Sequence, residues 1–207
     1  MVGIGRPTTK QITALLPIQL CRWPANINYG LAPEYAMAEI IEHARAAILW
    51  LQDNASDGNF ENQKIYVAGH SAGGDLAAEL LATDWLALGV PANLVRGIIA
   101  IGGVFDLAPL IETSINDKLG LDQNSARQCS PLFHSSTNSA PVTVTVGGDE
   151  TEEFLRQARS YTACCQTAGC AADLLRLNGF NHHTILNHMS DANATLMRRV
   201  LHQMDLA

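Results

Sequence analysis

Lys64-Ile65-Tyr66-Val67-Ala68-Gly69-His70-Ser71-Ala72-Gly73-Gly74-Asp75-Leu76 changes character in the middle. The front is a short, β-branched apolar run; the stretch that follows is rich in alanine and leucine, as a buried helix would be. Between them, Gly69-His70-Ser71-Ala72-Gly73 has the form Gly-x-Ser-x-Gly. A strand, a sharp turn and a helix in this order push the Ser71 hydroxyl into the open, and the glycines let the backbone crowd there without Cβ clashes. Ala72 opens the helix, so its N–H and the positive helix end are placed to stabilise an oxyanion. The motif alone arises by chance, and an idle serine in a glycine turn is the competing reading. The strand before it and the helix after it are what give it chemical meaning.

Outward from this point the chain alternates. Upstream, Ile27-Asn28-Tyr29 reads as a strand end, followed by the turn Gly30-Leu31-Ala32-Pro33. Apolar residues at 38, 41, 44, 48, 49 and 51 then have helical spacing, and the helix stops in the loop formers 53–58. Downstream, the helix after Ser71 spans 75–88, a buried strand spans 95–105, and 106–140 is irregular apart from a helical stretch near 107–113. A strand at 142–146, a helix at 152–168, a strand at 172–177 and a closing helix at 183–204 complete the order. Strands alternating with helices predict an α/β fold, a mostly parallel sheet with helices on both faces. Residues 1–25 carry no clear period and stay unassigned, leaving 26–207 as one domain.

The 207 residues carry a formal net charge of -7, and no basic run is longer than Arg198-Arg199, which argues against nucleic acid as a partner. There is no signal-peptide layout and no apolar stretch that escapes interruption by Gly, Asp or Pro, so the expectation is a cytoplasmic protein with no membrane partner. The five cysteines (Cys21, Cys129, Cys164, Cys165, Cys170) form no Cys-x-x-Cys pair and no regular framework. Reduced thiols are the economical reading, with neither a metal nor an organic cofactor implied.

A serine nucleophile needs a base, and the base needs a carboxylate to fix its tautomer; on a strand–elbow–helix scaffold these follow in the order Ser, acid, His. Acids follow the 142–146 strand in Gly147-Gly148-Asp149-Glu150, and histidines follow the last strand in Asn181-His182-His183. Spacing leaves Asp149 and Glu150 both open, as it does the two histidines. His43, His134, His188 and His202 lack this context and read as ordinary residues. Tyr29, Phe105 and Phe133 are candidates for an aromatic pocket or for plain core, and Asp106 for hydrogen bonding to loop backbone.

Asn28-Tyr29-Gly30-Leu31-Ala32-Pro33-Glu34, Gly69-His70-Ser71-Ala72-Gly73-Gly74, Gly103-Val104-Phe105-Asp106-Leu107 and Thr113-Ser114-Ile115-Asn116 through Gly120-Leu121 together resemble the kynurenine formamidase (arylformamidase) branch of the α/β hydrolases. The first two motifs are shared with hormone-sensitive-lipase-like esterases. The Thr-Ser-Ile-Asn stretch, and Glu153-Phe154 with Arg156-Gln157, are more particular to formamidases. The resemblance implies an α/β-hydrolase fold and the triad Ser71, Glu150 and His182: the family acid lies three residues before a Glu-Phe pair, and the family histidine precedes an aromatic position, filled here by His183. Asp149 remains the competing acid, and Ala72 the oxyanion donor.

The implied reaction is hydrolysis of N-formyl-L-kynurenine to kynurenine and formate through an acyl-enzyme. A short-chain carboxylesterase is the alternative. The chain departs from the family pattern in lacking a His-Gly-Gly-aromatic loop before Asn28, whose amides would complete the oxyanion hole. Loss of one such donor costs on the order of 10² to 10³ in turnover, so a noncatalytic or impaired remnant is a third reading. The amino-terminal strands read as truncated, and an exposed sheet edge would favour pairing of two copies, a homodimer.

Overall fold

The computed structural model describes residues 25–55, 64–134, 139–189, 191 and 193–204. Of the unassigned residues 1–25, all but the last lie outside them, Cys21 included.

Four strands, β1 (Ile65–His70), β2 (Val95–Ile101), β3 (Val142–Gly147) and β4 (Ala172–Leu177), lie side by side in chain order, and every neighbouring pair is parallel. A parallel neighbour requires a crossover, and the helices supply it. In chain order these are α1 (Met37–Asp53), α2 (Ala72–Ala82), the short α3 (Asn116–Leu119) and α4 (Gln123–Gln128), α5 (Glu152–Thr167) and α6 (Thr195–Gln203).

The sheet separates two apolar layers. On one face Ile40, Ala44 and Ile48 of α1, Leu76, Leu80 and Leu81 of α2, and Leu155, Ala158 and Tyr161 of α5 pack with Ile98, Val142 and Val144. On the other, Leu196, Met197 and Val200 of α6 cover Ile99 and Ile101. Alternate β2 residues thus face opposite layers, as the period of two requires. The carboxyl ends of all four strands lie along one sheet edge. Among the described residues no helix is long and apolar enough to cross a membrane.

Several elements are shorter than the sequence predicts. The helix after Ser71 ends at Ala82, not 88. Thr83 is extended and its hydroxyl donates to the Glu79 carbonyl, while the buried Trp85 indole donates to the Leu80 carbonyl at 3.0 Å. Side chains thereby satisfy the last carbonyls, and alanine and leucine propensity beyond that point is overruled. β2 stops at Ile101 because Gly102 turns the chain with φ +52°. The closing helix is two pieces, a 3-10 turn at Thr184–Met189 and α6. Between them Asp191 folds onto the Asn193 amide (2.9 Å), the local competition with helix that aspartate favours. Ile27-Asn28-Tyr29 is not a strand; its apolar side chains pack on the core from an irregular segment.

Candidate active site

Ser71 follows β1 with φ 56° and ψ −119°, the one positive φ outside glycine among the described residues. The corner is tight. A Cβ on Gly69 would run into the Gly73 carbonyl, and one on Gly74 would lie 2.8 Å from Gly103 Cα. The Ser71 amide donates to the Ile101 carbonyl at 2.9 Å, and its own carbonyl receives the Gly74 and Asp75 amides. Those bonds fix the elbow between β2 and α2. Ala72 is the first residue of α2, so its N–H is a first-turn amide with no intrahelical acceptor.

Ser71 Oγ lies 2.9 Å from His182 Nε2, and His182 Nδ1 lies 2.8 Å from Glu150 Oε2. The other Glu150 oxygen accepts the Gly147 amide at 3.0 Å. Only 1% of the Glu150 side chain is exposed, against 23% for His182. Asp149 instead is exposed and accepts the Gly179 amide at 3.4 Å. The turns after β3 and β4 are laced together: Gly148 N donates to Leu177 O (2.7 Å), Asp149 N to Phe180 O (3.0 Å) and Arg176 to Gly148 O (3.0 Å). This lacing holds the carboxylate opposite the imidazole. A Cβ on Gly147 would collide with the Phe180 carbonyl, so glycine there allows the approach.

Three contacts around His182 had no role in the sequence reading. His70 Nε2 bonds the His182 carbonyl at 2.7 Å, the His70 ring lies 4.6 Å from the His182 ring, and Phe154 faces that ring at 4.7 Å. Both residues stood inside quoted motifs, yet neither motif indicates which side chain it touches. Gln157 is another such residue: buried, it accepts the Phe105 and Asp106 amides at 2.7 and 2.9 Å and donates to the Asp106 carbonyl. It pins the loop that follows β2.

The remaining candidates disperse. Phe105 is fully buried, stacked on Tyr161 at 4.2 Å, and belongs to the core. Phe133 is exposed beneath the Arg127 guanidinium. Tyr29 is half-buried near Asp75, and burial, then that carboxylate, raises its phenol above the usual value. Asp106 accepts the Ala108 amide, as expected of a loop-bonding residue, and also pairs with Arg156 at 3.2 Å. Asn116 of the Thr-Ser-Ile-Asn stretch braces its own loop through Leu121 N, Leu121 O and Ile111 O. His43 accepts the Gly30 amide, and His134 pairs with Glu79.

Cys129, Cys164, Cys165 and Cys170 form no disulfides. Burial pushes the Cys129 thiol up to about 11 and that of Cys165 up to about 12, which makes both poor nucleophiles at neutral pH. Among the described residues no group of three or more His, Cys, Asp or Glu is arranged to hold a metal.

Residues 24–186 match the family model described as alpha/beta hydrolase fold. Kynurenine formamidase of Danio rerio is 27% identical over 180 residues, 84% of this chain and 60% of that protein. The Salmo salar kynurenine formamidase is 26% identical over 184 residues, 86% of this chain and 61% of its own length. A solved structure from Silicibacter sp. tm1040, provisionally described as a thioesterase, superposes with a TM-score of 0.70 at 31% identity, over 83% of this chain and 61% of that one. The chain thus spans about three fifths of the length of each of these relatives.

Proposed function

This chain belongs to the alpha/beta hydrolase fold family, and on that premise we propose that it is a serine-dependent hydrolase whose substrate is a small aryl formamide, N-formyl-L-kynurenine. The observation that carries the proposal is the unbroken hydrogen-bonded series Ser71 Oγ, His182, Glu150 at 2.9 and 2.8 Å. The named relatives from fish supply the substrate class.

In this reading His182 Nε2 takes the Ser71 proton as Oγ attacks the formyl carbon. Glu150 holds the Nδ1–H tautomer and stabilises the imidazolium that forms. The oxyanion lies against the Ala72 N–H at the start of α2. Collapse breaks the C–N bond; the leaving aryl amine takes the proton from His182, and the formyl group stays on Ser71. Water then attacks with His182 again as base, releasing formate and restoring the serine hydroxyl.

An ester or thioester substrate is the second reading, favoured by the 31% identity to the Silicibacter protein. The test is hydrolysis of N-formylkynurenine and of p-nitrophenyl acetate by the purified chain, each against Ser71→Ala. Serine-dependent release of kynurenine supports the formamidase, and ester turnover alone supports the second reading. Rates no higher than Ser71→Ala on both substrates, in folded protein, make the chain a noncatalytic member of its family.

A further inference from the structure

His182 is restrained on more than its Glu150 side. Its imidazole has three ring neighbours, His70 at 4.6 Å, Phe154 at 4.7 Å and His183 at 5.6 Å, and its backbone carbonyl takes a hydrogen bond from His70 at 2.7 Å. A carbonyl only accepts, so His70 Nε2 carries the proton, and in the neutral ring Nδ1 is bare. The two ends of this bond differ in footing. His70 is the last residue of β1, in register with Ile101 of β2. His182 sits in the turn after β4, 112 residues away in sequence. A general base on a turn benefits from an anchor in the sheet, because small displacements of a catalytic group are costly to turnover.

Charge supports the same arrangement. Burial, the largest influence, keeps His70 below the ordinary histidine value although the hydrogen bond to the His182 carbonyl and the Glu150 charge pull it upward; the His182 and His183 rings lower it further. The ionisable groups facing it are His182, Glu150 and His183. A neutral His70 adds no cation beside the ring that must become imidazolium in each proton transfer.

We propose that His70 is a positioning residue, which holds the turn carrying His182 by donating its Nε2–H to the His182 carbonyl as a neutral ring. The proposal rests on His182 being the general base. Histidine ¹⁵N spectra of the wild-type chain at neutral pH are expected to show His70 protonated at Nε2 and bare at Nδ1. A His70 ring protonated at Nδ1 instead overturns the proposal.

His70→Phe keeps a ring and removes the donor; His70→Gln keeps a donor and removes the ring. For His70→Phe, kcat is expected to fall about tenfold with KM changed less than about twofold, the worth of one hydrogen bond. The His182 Nδ1 proton should exchange with solvent faster to a similar degree. His70→Gln should restore both to within about threefold of wild type. A Phe variant with wild-type exchange and kcat, or a Gln variant as impaired as Phe, overturns the donor role. The nitrogen spectra and the exchange rates need no turnover. They therefore judge His70 even if Ser71→Ala hydrolyses substrate as fast as wild type, a result that would sink the hydrolase reading alone.

Discussion

Glu150 divides its carboxylate between His182 and its own strand: Oε2 lies 2.8 Å from His182 Nδ1, and Oε1 accepts the Gly147 amide at 3.0 Å. Both oxygens are thus committed, which fixes the plane of the group facing the imidazole. Asp149 is exposed, and its carboxylate accepts the Gly179 amide at 3.4 Å.

Glu150→Gln is expected to lower kcat by on the order of 10³ to 10⁴, because the amide presents a donor to Nδ1 and reverses the tautomer. Asp149→Asn should stay within about twofold of wild type, as an exposed substitution does. Steady-state kinetics on the two variants checks this, and a larger loss for Asp149→Asn would transfer the acid role to it.

Three glycines of the elbow should respond differently to alanine. Gly69→Ala drives a methyl into the Gly73 carbonyl and Gly74→Ala places one 2.8 Å from Gly103 Cα, backbone contacts that cannot swing aside. Each should cost about 2 kcal/mol or more in a denaturant melt. Gly73 has nothing within 4 Å of the same position, and Gly73→Ala should fall within about 0.5 kcal/mol of wild type. Equal losses at all three would show that the corner relaxes.

Asp75, fully enclosed in α2, has no hydrogen-bond partner for either carboxylate oxygen among the described residues. Burial, and then the charge of Glu79, raises its carboxyl well above the usual range. A raised folded value means that stability is fully present below the unfolded carboxylate range and is lost as pH rises through the folded value. Asp75→Asn cannot ionise, so it should melt about 3 °C or more above wild type near pH 8 and show no gain near pH 4. Identical melting of variant and wild type at both pH values would refute a raised Asp75 carboxyl.

His134 Nδ1 is hydrogen-bonded to Glu79 Oε2 at 3.2 Å, and that bond raises its imidazole above the ordinary value. Stability from this pair is complete below the unfolded histidine value and disappears as pH climbs through the folded one. His134→Gln should therefore lower the melting temperature by roughly 2 °C near pH 5.5 and by less than about 1 °C near pH 9. A loss that is constant with pH would point to packing instead of charge.

The elements around the elbow were readable because their signals are local. A β-branched run, a glycine corner and an alanine-rich run specify β1, the turn and the start of α2 within a dozen residues. Errors arose where a distant or unexpected partner intervened. Trp85 reaches back to Leu80 and closes α2 six residues before the apolar run ends. Asp191 interrupts what alternation alone presents as one closing helix. The Thr-Ser-Ile-Asn stretch, quoted as a family mark, contains a loop brace in Asn116 that sequence spacing does not reveal.

The sequence by itself determined that Ser71 stands at a strand–helix corner and that an acid and a histidine follow it after successive strands, since order along the chain and short-range periodicity contain that much. Spacing left open which acid and which histidine meet the serine; the family resemblance selected Glu150 and His182, and only the tertiary structure places both at hydrogen-bond distance. Ser71 and His182 are 111 residues apart, Glu150 and His182 are 32 apart, and no local pattern measures such separations. A parallel sheet brings them together, because its strands all end on the same edge, and the lacing of the turns after β3 and β4 then points Glu150 inward and Asp149 out to solvent.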